Sequence, residues 1–205
     1  MIVIVDYGMG NLGSIKNMLK KIGIESIISK EINIINSADK LILPGVGSFD
    51  HGIKNINENG LRDVLEKNII KKKKPLLGIC LGMQLLTNSS EEGELPGFGW
   101  VNAVTKKFVF EDITFKTPHM GWNTVKNENE NVLYNKMYQD ARFYFAHSYY
   151  ISCFNQSDIL TTTTYGYEFV SSFQSGNIIG VQFHPEKSHK FGMKLLKNFV
   201  ENFND

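Results

Sequence analysis

Cysteine is scarce in this chain: there are 2 in 205 residues, Cys80 and Cys153. Two thiols cannot build the disulfide framework of a small secreted domain, and they supply no Cys-x-x-Cys metal site. Excess charge is also lacking, since 22 Lys and Arg stand against 21 Asp and Glu, a formal net charge of +1. Nothing therefore draws the chain as a whole to nucleic acid or to an anionic membrane. Long apolar runs are missing too. The run over residues 1–5 stops at Asp6, and no segment approaches the roughly 20 apolar residues of a membrane span. Pro/Ser linkers, internal repeats and low-complexity stretches are absent, and the Asn-Glu-Asn-Glu-Asn run over 127–131 reads as a polar loop. These gaps point to one soluble, cytoplasmic, unprocessed domain over 1–205, of a size suited to a single α/β core.

Present instead are short apolar runs alternating with helical patterns. Ile2-Val3-Ile4-Val5 precedes a Gly-rich turn, and then Ile15, Met18, Leu19 and Ile22 fall at helical spacing behind Ser14 as N-cap, with Gly23 closing the helix. The theme recurs as strands at 26–29 and 40–43 with a helix over 61–72, and again as a strand at 76–79 with a helix from Leu81 to Leu86. Lys71, Lys72, Lys73 and Lys74 fall at the end of the 61–72 helix, where the dipole favours cations. Such alternation implies a parallel sheet covered on both faces, with sites beyond the carboxyl ends of its strands. The second half is richer in strand patterns, at 101–108, 143–151, 159–165, 169–174 and 178–183. These imply antiparallel additions, closed by a helix over 188–203.

Three glycine turns could carry chemistry. Gly8-Met9-Gly10-Asn11-Leu12-Gly13 matches the G-x-G-x-x-G pattern of dinucleotide sites, with Glu31 downstream, although the glycines of a tight βα turn can serve backbone geometry alone. Gly78-Ile79-Cys80-Leu81-Gly82 is the thiol counterpart of the G-x-S-x-G elbow, in which flanking glycines make room for a strained nucleophile, and the N-terminus of the following helix favours thiolate. Cys153 has no such frame and reads as a buried small hydrophobe. Pro44-Gly45-Val46-Gly47 follows a parallel strand; a peptide flip there would aim N–H groups at a developing oxyanion, with the Leu81 N–H as second donor.

A thiolate hydrolase also needs a base. His184, in Gln182-Phe183-His184-Pro185-Glu186, follows an apolar strand, and Glu186 is placed to turn back and orient its ring. Cys80, His184 and Glu186 are thus all expected on one edge of the sheet. A dinucleotide-binding module and a triad-bearing peptidase stay open at this level.

These residues resemble the class I (triad) glutamine amidotransferases. More narrowly they are similar to the HisH family, the glutaminase subunits of imidazole glycerol phosphate synthase. The likeness rests on the cysteine elbow through Gln84, the His-Pro-Glu segment, Asp6-Tyr7-Gly8 with Gly10-Asn11-Leu12, Pro118-His119-Met120-Gly121-Trp122-Asn123 and His147-Ser148-Tyr149. It implies a single-domain three-layer α/β/α (flavodoxin-like) fold, with a mostly parallel central sheet and added antiparallel strands. The implied reaction is hydrolysis of L-glutamine with no metal or cofactor. Ammonia would pass to a (β/α)8-barrel synthase subunit in a heterodimer that makes imidazole glycerol phosphate and an aminoimidazole carboxamide ribotide for histidine biosynthesis. Gln84, His147, Ser148 and Tyr149 would line the glutamine pocket, and Asn11, Met120, Trp122 and Lys187 would face the partner. Related glutaminases occur in surface-polysaccharide gene clusters, where the ammonia feeds an amidino-sugar synthase instead.

Overall fold

The computed structural model describes residues 1–203. Strand β1 (Ile2–Val5) is buried on both faces, as a parallel strand must be when helices cover each side of the sheet. It pairs in parallel with β2 (Ser26–Ser29) and β3 (Lys40–Gly45). The parallel part then runs through β4 (Leu76–Cys80) to β12 (Ile178–Val181). Beyond β12 the sheet turns antiparallel through β11 (Tyr167–Ser175), β10 (Ile159–Tyr165) and β7 (Lys126–Asn127). A side branch joins β9 (Tyr149–Cys153) to β11 and β5 (Ala103–Lys107) to β9. A separate two-stranded sheet pairs β6 (His119–Thr124) with β8 (Arg142–His147).

Alternation along the parallel strands divides the core in two. Val3, Val5, Leu41, Leu43 and Leu76 face one layer, formed by α2 (Ile32–Ser37), α3 (Phe49–Glu58) and α4 (Leu61–Glu66). Ile2, Ile4, Ile42, Leu77 and Ile79 face the other, formed by α1 (Leu12–Lys21) and α6 (His189–Asn202). Each fully buried Leu, Ile or Phe contributes about 1.5–3 kcal/mol relative to exposure, so this double-sided burial dominates the stability of the scaffold. At the lower rim, buried Lys40 donates from Nζ to the carbonyls of Phe199 at 3.1 Å, Val200 at 2.8 Å and Phe203. A cation thereby caps the C-terminal end of α6, where orphan carbonyls collect.

Several boundaries differ from the sequence reading. Helix α1 starts at Leu12, with Asn11 rather than Ser14 in the N-cap position, because Gly13 itself takes helical geometry. The helix expected over 61–72 ends at Glu66 and continues as a π-helical turn, Lys67–Lys71, in which the Lys72 N–H reaches the Lys67 carbonyl at 3.1 Å. There the Asn177 side-chain amide donates to the Ile69 carbonyl at 2.9 Å. The strand expected over 143–151 breaks at Ser148 into β8 and β9, which belong to different sheets. Helix α5 (Leu81–Gln84) is a single turn; it brings a few N–H groups to the elbow rather than a long helix dipole. Among the described residues, no helix is long and apolar enough to cross a membrane.

Candidate active site

The elbow is built by close backbone packing. Cys80 ends β4 with φ 53° and ψ −111°, a combination that costs a non-glycine residue about 1–3 kcal/mol. Its flanking glycines are sterically required. A Cβ on Gly82 would lie 1.8 Å from the Leu43 carbonyl oxygen, and one on Gly78 would lie 2.9 Å from the Met83 Cα. Parallel register sets Gly45 directly beside Cys80, and a Cβ on Gly45 would meet the Tyr7 hydroxyl at 2.4 Å. Gly47 has φ +116°, where only glycine sits without strain.

His184 arrives on the chain leaving β12. Its backbone N–H donates to the Tyr144 carbonyl at 2.8 Å, and Ser188 Oγ donates to the His184 carbonyl at 2.6 Å. In the short 3₁₀ turn Pro185–Lys187, Glu186 folds back so that its Oε1 lies 2.8 Å from His184 Nδ1. Both side chains are about 2–3% exposed. With Nδ1 taken by Glu186, the ring also lies near enough to Cys80 for the sulfur to act on its charge. Burial opposes a charge on the imidazole. The Cys80 sulfur and the Glu186 carboxylate outweigh burial and hold the ring pKa up to about 10. His184 thus keeps its proton at neutral pH, with the carboxylate at Nδ1.

A cavity of about 270 Å³ opens over Cys80. Val46, Gly47, Leu81, Gln84, His147, Ser148, Tyr149 and Met120 line it, so the turn after β3 and the segment joining β8 to β9 both contribute to its wall. Gly45 stays in the ladder beneath. Asn11, Trp122 and Lys187 lie outside the cavity and are exposed. Trp122 stacks on His189 at 5.4 Å, and the Lys187 ammonium sits 5.5 Å from the Tyr144 ring. A larger hollow of about 650 Å³ lies along the 127–135 loop and has neither thiol nor imidazole in its walls. Among the described residues, no cluster of His, Cys, Asp and Glu is placed to hold a metal ion.

Two further residues stand in the site and are not singled out by motif. Gln182 is fully buried, with Nε2 3.7 Å from Cys80 Sγ; the only trace in sequence is a polar side chain between an apolar strand and His184. Among the described residues, Glu92 is the one carboxylate in the cavity wall. It accepts from the Phe49 N–H at 2.9 Å, and burial raises its pKa. It lies in an irregular stretch that gives no periodic signal. In the Gly8 to Gly13 pattern the first two glycines serve backbone geometry, with φ +84° at Gly8 and +104° at Gly10, and a Cβ on Gly10 would make only ordinary contact with Pro44 at 3.4 Å. A Cβ on Gly13 would meet nothing within 4 Å, so the third glycine does not mediate close helix–strand packing.

Comparison with known proteins decides among the hydrolase families. The family model for glutamine amidotransferase class-I matches residues 3–203. The chain belongs to the class I glutamine amidotransferase family. It is 58% identical to a Methanococcus maripaludis protein named imidazole glycerol phosphate synthase subunit HisH 2, over 98% of this chain and 99% of that one. A Pseudomonas aeruginosa protein of the same name is 47% identical over the same shares. The Bdellovibrio bacteriovorus subunit HisH is 48% identical, over 98% of this chain and all of that one. Among solved structures, a glutamine amidotransferase superimposes with a TM-score of 0.76 at 20% identity, covering 98% of each chain. PurLQS from Thermotoga maritima contains a chain that gives 0.72 at 17%, covering 99% of this chain and 98% of the other. At those identities the structural likeness speaks to the fold.

Proposed function

We propose that the chain is the glutaminase subunit of an imidazole glycerol phosphate synthase, hydrolysing L-glutamine and handing ammonia to a barrel subunit. The observation that carries the chemistry is the His184 ring held by Glu186 and acted on by the Cys80 sulfur, which itself lines a cavity of about 270 Å³. The Cys80 thiolate attacks the side-chain amide carbon of glutamine. The resulting oxyanion is met by N–H groups of the Gly45-Val46-Gly47 turn and by Leu81. His184 gives its proton to the departing nitrogen, the C–N bond breaks, and ammonia leaves a γ-glutamyl thioester on Cys80. The same imidazole then takes a proton from water as it attacks the thioester, and glutamate and thiolate are released. Glu186 holds the ring orientation throughout and stabilises its charge whenever it is protonated. Glu92, the lone carboxylate of the wall, suits the α-ammonium of glutamine, and Gln84, His147, Ser148 and Tyr149 give the substrate its polar contacts.

Ammonia released into water is protonated and no longer a nucleophile, so the product needs a sheltered exit. Met120 is 63% exposed and Val46 44% exposed at the cavity mouth, and Trp122 is 43% exposed on the same strand as Met120. Exposed apolar groups beside a reaction exit suit a protein partner. We assign this face, with Asn11 and Lys187, to the (β/α)8-barrel synthase, where ammonia would join a phosphoribulosyl-formimino nucleotide. Replacement of Cys80 by Ala tests the division of labour in the reconstituted complex. Glutamine-driven synthesis is abolished and synthesis from free ammonia persists; loss of both would contradict a role confined to ammonia supply.

A second reading sends the ammonia elsewhere. Two of the three relatives above bear the number 2 in their names, which favours duplicated subunits among such proteins and so more than one receiving synthase. A sugar-modifying synthase would then replace the histidine-pathway barrel. Co-purification from the native cell separates the readings by the identity of the enzyme that is bound.

A further inference from the structure

A continuous line of hydrogen bonds runs from β6 to the catalytic sulfur. His119 and His147 are cross-strand partners in β6 and β8, with His119 Nδ1 3.0 Å from His147 Nε2. His147 Nδ1 lies 2.7 Å from the Tyr149 carbonyl oxygen, and Asn123 Nδ2 lies 3.3 Å from His119 Nε2. The Tyr149 carbonyl also accepts from Gln84 Nε2 at 3.2 Å, and that nitrogen reaches Gln182 Oε1 at 3.1 Å. Gln182 Nε2 then faces Cys80 Sγ.

Only one proton arrangement satisfies this line. A carbonyl accepts and never donates, so His147 carries its hydrogen on Nδ1. Burial depresses both rings, His147 to about 3 and His119 to about 4, so each carries a single ring proton at neutral pH. His147 Nε2 is therefore bare and must accept, which puts the hydrogen of His119 on Nδ1. The bare Nε2 of His119 accepts in turn from the Asn123 amide, whose nitrogen also donates to the Thr164 carbonyl at 2.9 Å. The His119 ring has no freedom to turn away, being stacked between Tyr165 at 4.1 Å and Phe145 at 4.8 Å.

We infer that His119, which lines no part of the cavity, is a positioning residue. It donates into the bare Nε2 of His147, reinforcing the Nδ1–H tautomer that the Tyr149 carbonyl dictates, and through that carbonyl ties β6 to Gln84 and Gln182 behind Cys80. The strand that presents Met120 and Trp122 outward thus holds the pocket wall with its inward face. The kinetic part of this inference rests on the proposed glutaminase reading; the tautomers do not.

The test is a long-range proton–nitrogen correlation on the uniformly ¹⁵N-labelled chain at pH 7, with each ring assigned by single substitution. Both rings are expected as Nδ1–H, opposite to the form that free histidine favours. Two variants separate hydrogen bonding from packing: His119→Phe keeps the stacked ring and loses the donor, whereas His119→Asn keeps a donor near Nδ1 and loses the stack. With the barrel subunit present, His119→Phe is expected to raise KM for glutamine about fivefold, the worth of one buried hydrogen bond, with kcat within about twofold. His119→Asn should recover most of that loss. An Nε2–H signal from either ring in the native chain overturns the assignment. Wild-type KM in His119→Phe, or a greater loss in His119→Asn, overturns the positioning role. Absence of glutaminase activity in the unsubstituted complex would count against the site reading and leave the tautomers to be judged on their own.

Discussion

Gly45 and Cys80 are register partners at the carboxyl ends of β3 and β4. This pairing brings the turn that follows Gly45 into the cavity wall beside Cys80, so thiol and turn are positioned by the same pair of strands. The approach is close enough that Gly45, Gly78 and Gly82 all occupy positions where a Cβ would collide. Chemistry and packing are inseparable at this edge, and the strain at Cys80 is held by the buried sheet beneath it.

Glu186 is the residue through which charge at His184 is most simply altered. Removing its carboxylate in Glu186→Gln lowers the ring pKa from about 10, so the alkaline limb of the pH–rate profile moves toward neutral pH. The rate falls by about 10⁴, the loss seen when a triad's orienting acid is replaced by its amide. The same linkage has a stability arm. The native ring, raised above its ordinary value near 6.5, contributes stability in full below that pH and loses it as pH rises through about 10. The variant flattens this alkaline loss in urea titrations. An unchanged pH profile would contradict the role given to the carboxylate.

Glycine substitutions separate the elbow from the first glycine turn. Gly82→Ala forces a methyl against the Leu43 carbonyl oxygen and is expected to cost about 3 kcal/mol, the upper end for overpacking, since neither backbone can yield cheaply. Gly13→Ala, on an open helical site, is expected to be neutral or to stabilise by up to about 1 kcal/mol. Urea midpoints measure both, and a reversed order would refute this account of the two motifs.

Lys40→Met tests the cation cap on α6. It keeps the length of the side chain and removes the donor to the carbonyls of Phe199, Val200 and Phe203. A loss of about 1.5–3 kcal/mol is expected, the worth of hydrogen bonding from a charged group. Equal midpoints for variant and parent would show that the cap is not energetically important.

The parallel core was legible because burial on both faces leaves continuous apolar runs, as in 2–5 and 76–79. The elbow and His-Pro-Glu were legible because their chemistry demands particular neighbours at short spacing. Helix α3 was missed: Phe49, Ile53 and Ile56 carry its buried stripe, but Gly52, which lets Leu85 approach, interrupts the pattern. Strand β6 was missed because its residues alternate against β8 in a small separate sheet, with Met120 and Trp122 turned outward. Gln182, Glu92 and the role of His119 escaped for a shared reason. Each acts through a partner distant in the chain, His147 for His119, Phe49 for Glu92 and Gln84 for Gln182, and no local pattern records such pairs.

The central claim is that Cys80 attacks the glutamine side chain. A diazo-ketone analogue of glutamine, followed by peptide mapping, tests it most directly. The account predicts a single adduct on Cys80, prevented by excess glutamine and absent from Cys80→Ala. A folded protein that takes no label at saturating reagent, or takes it at Cys153 with Cys80 untouched, would contradict it.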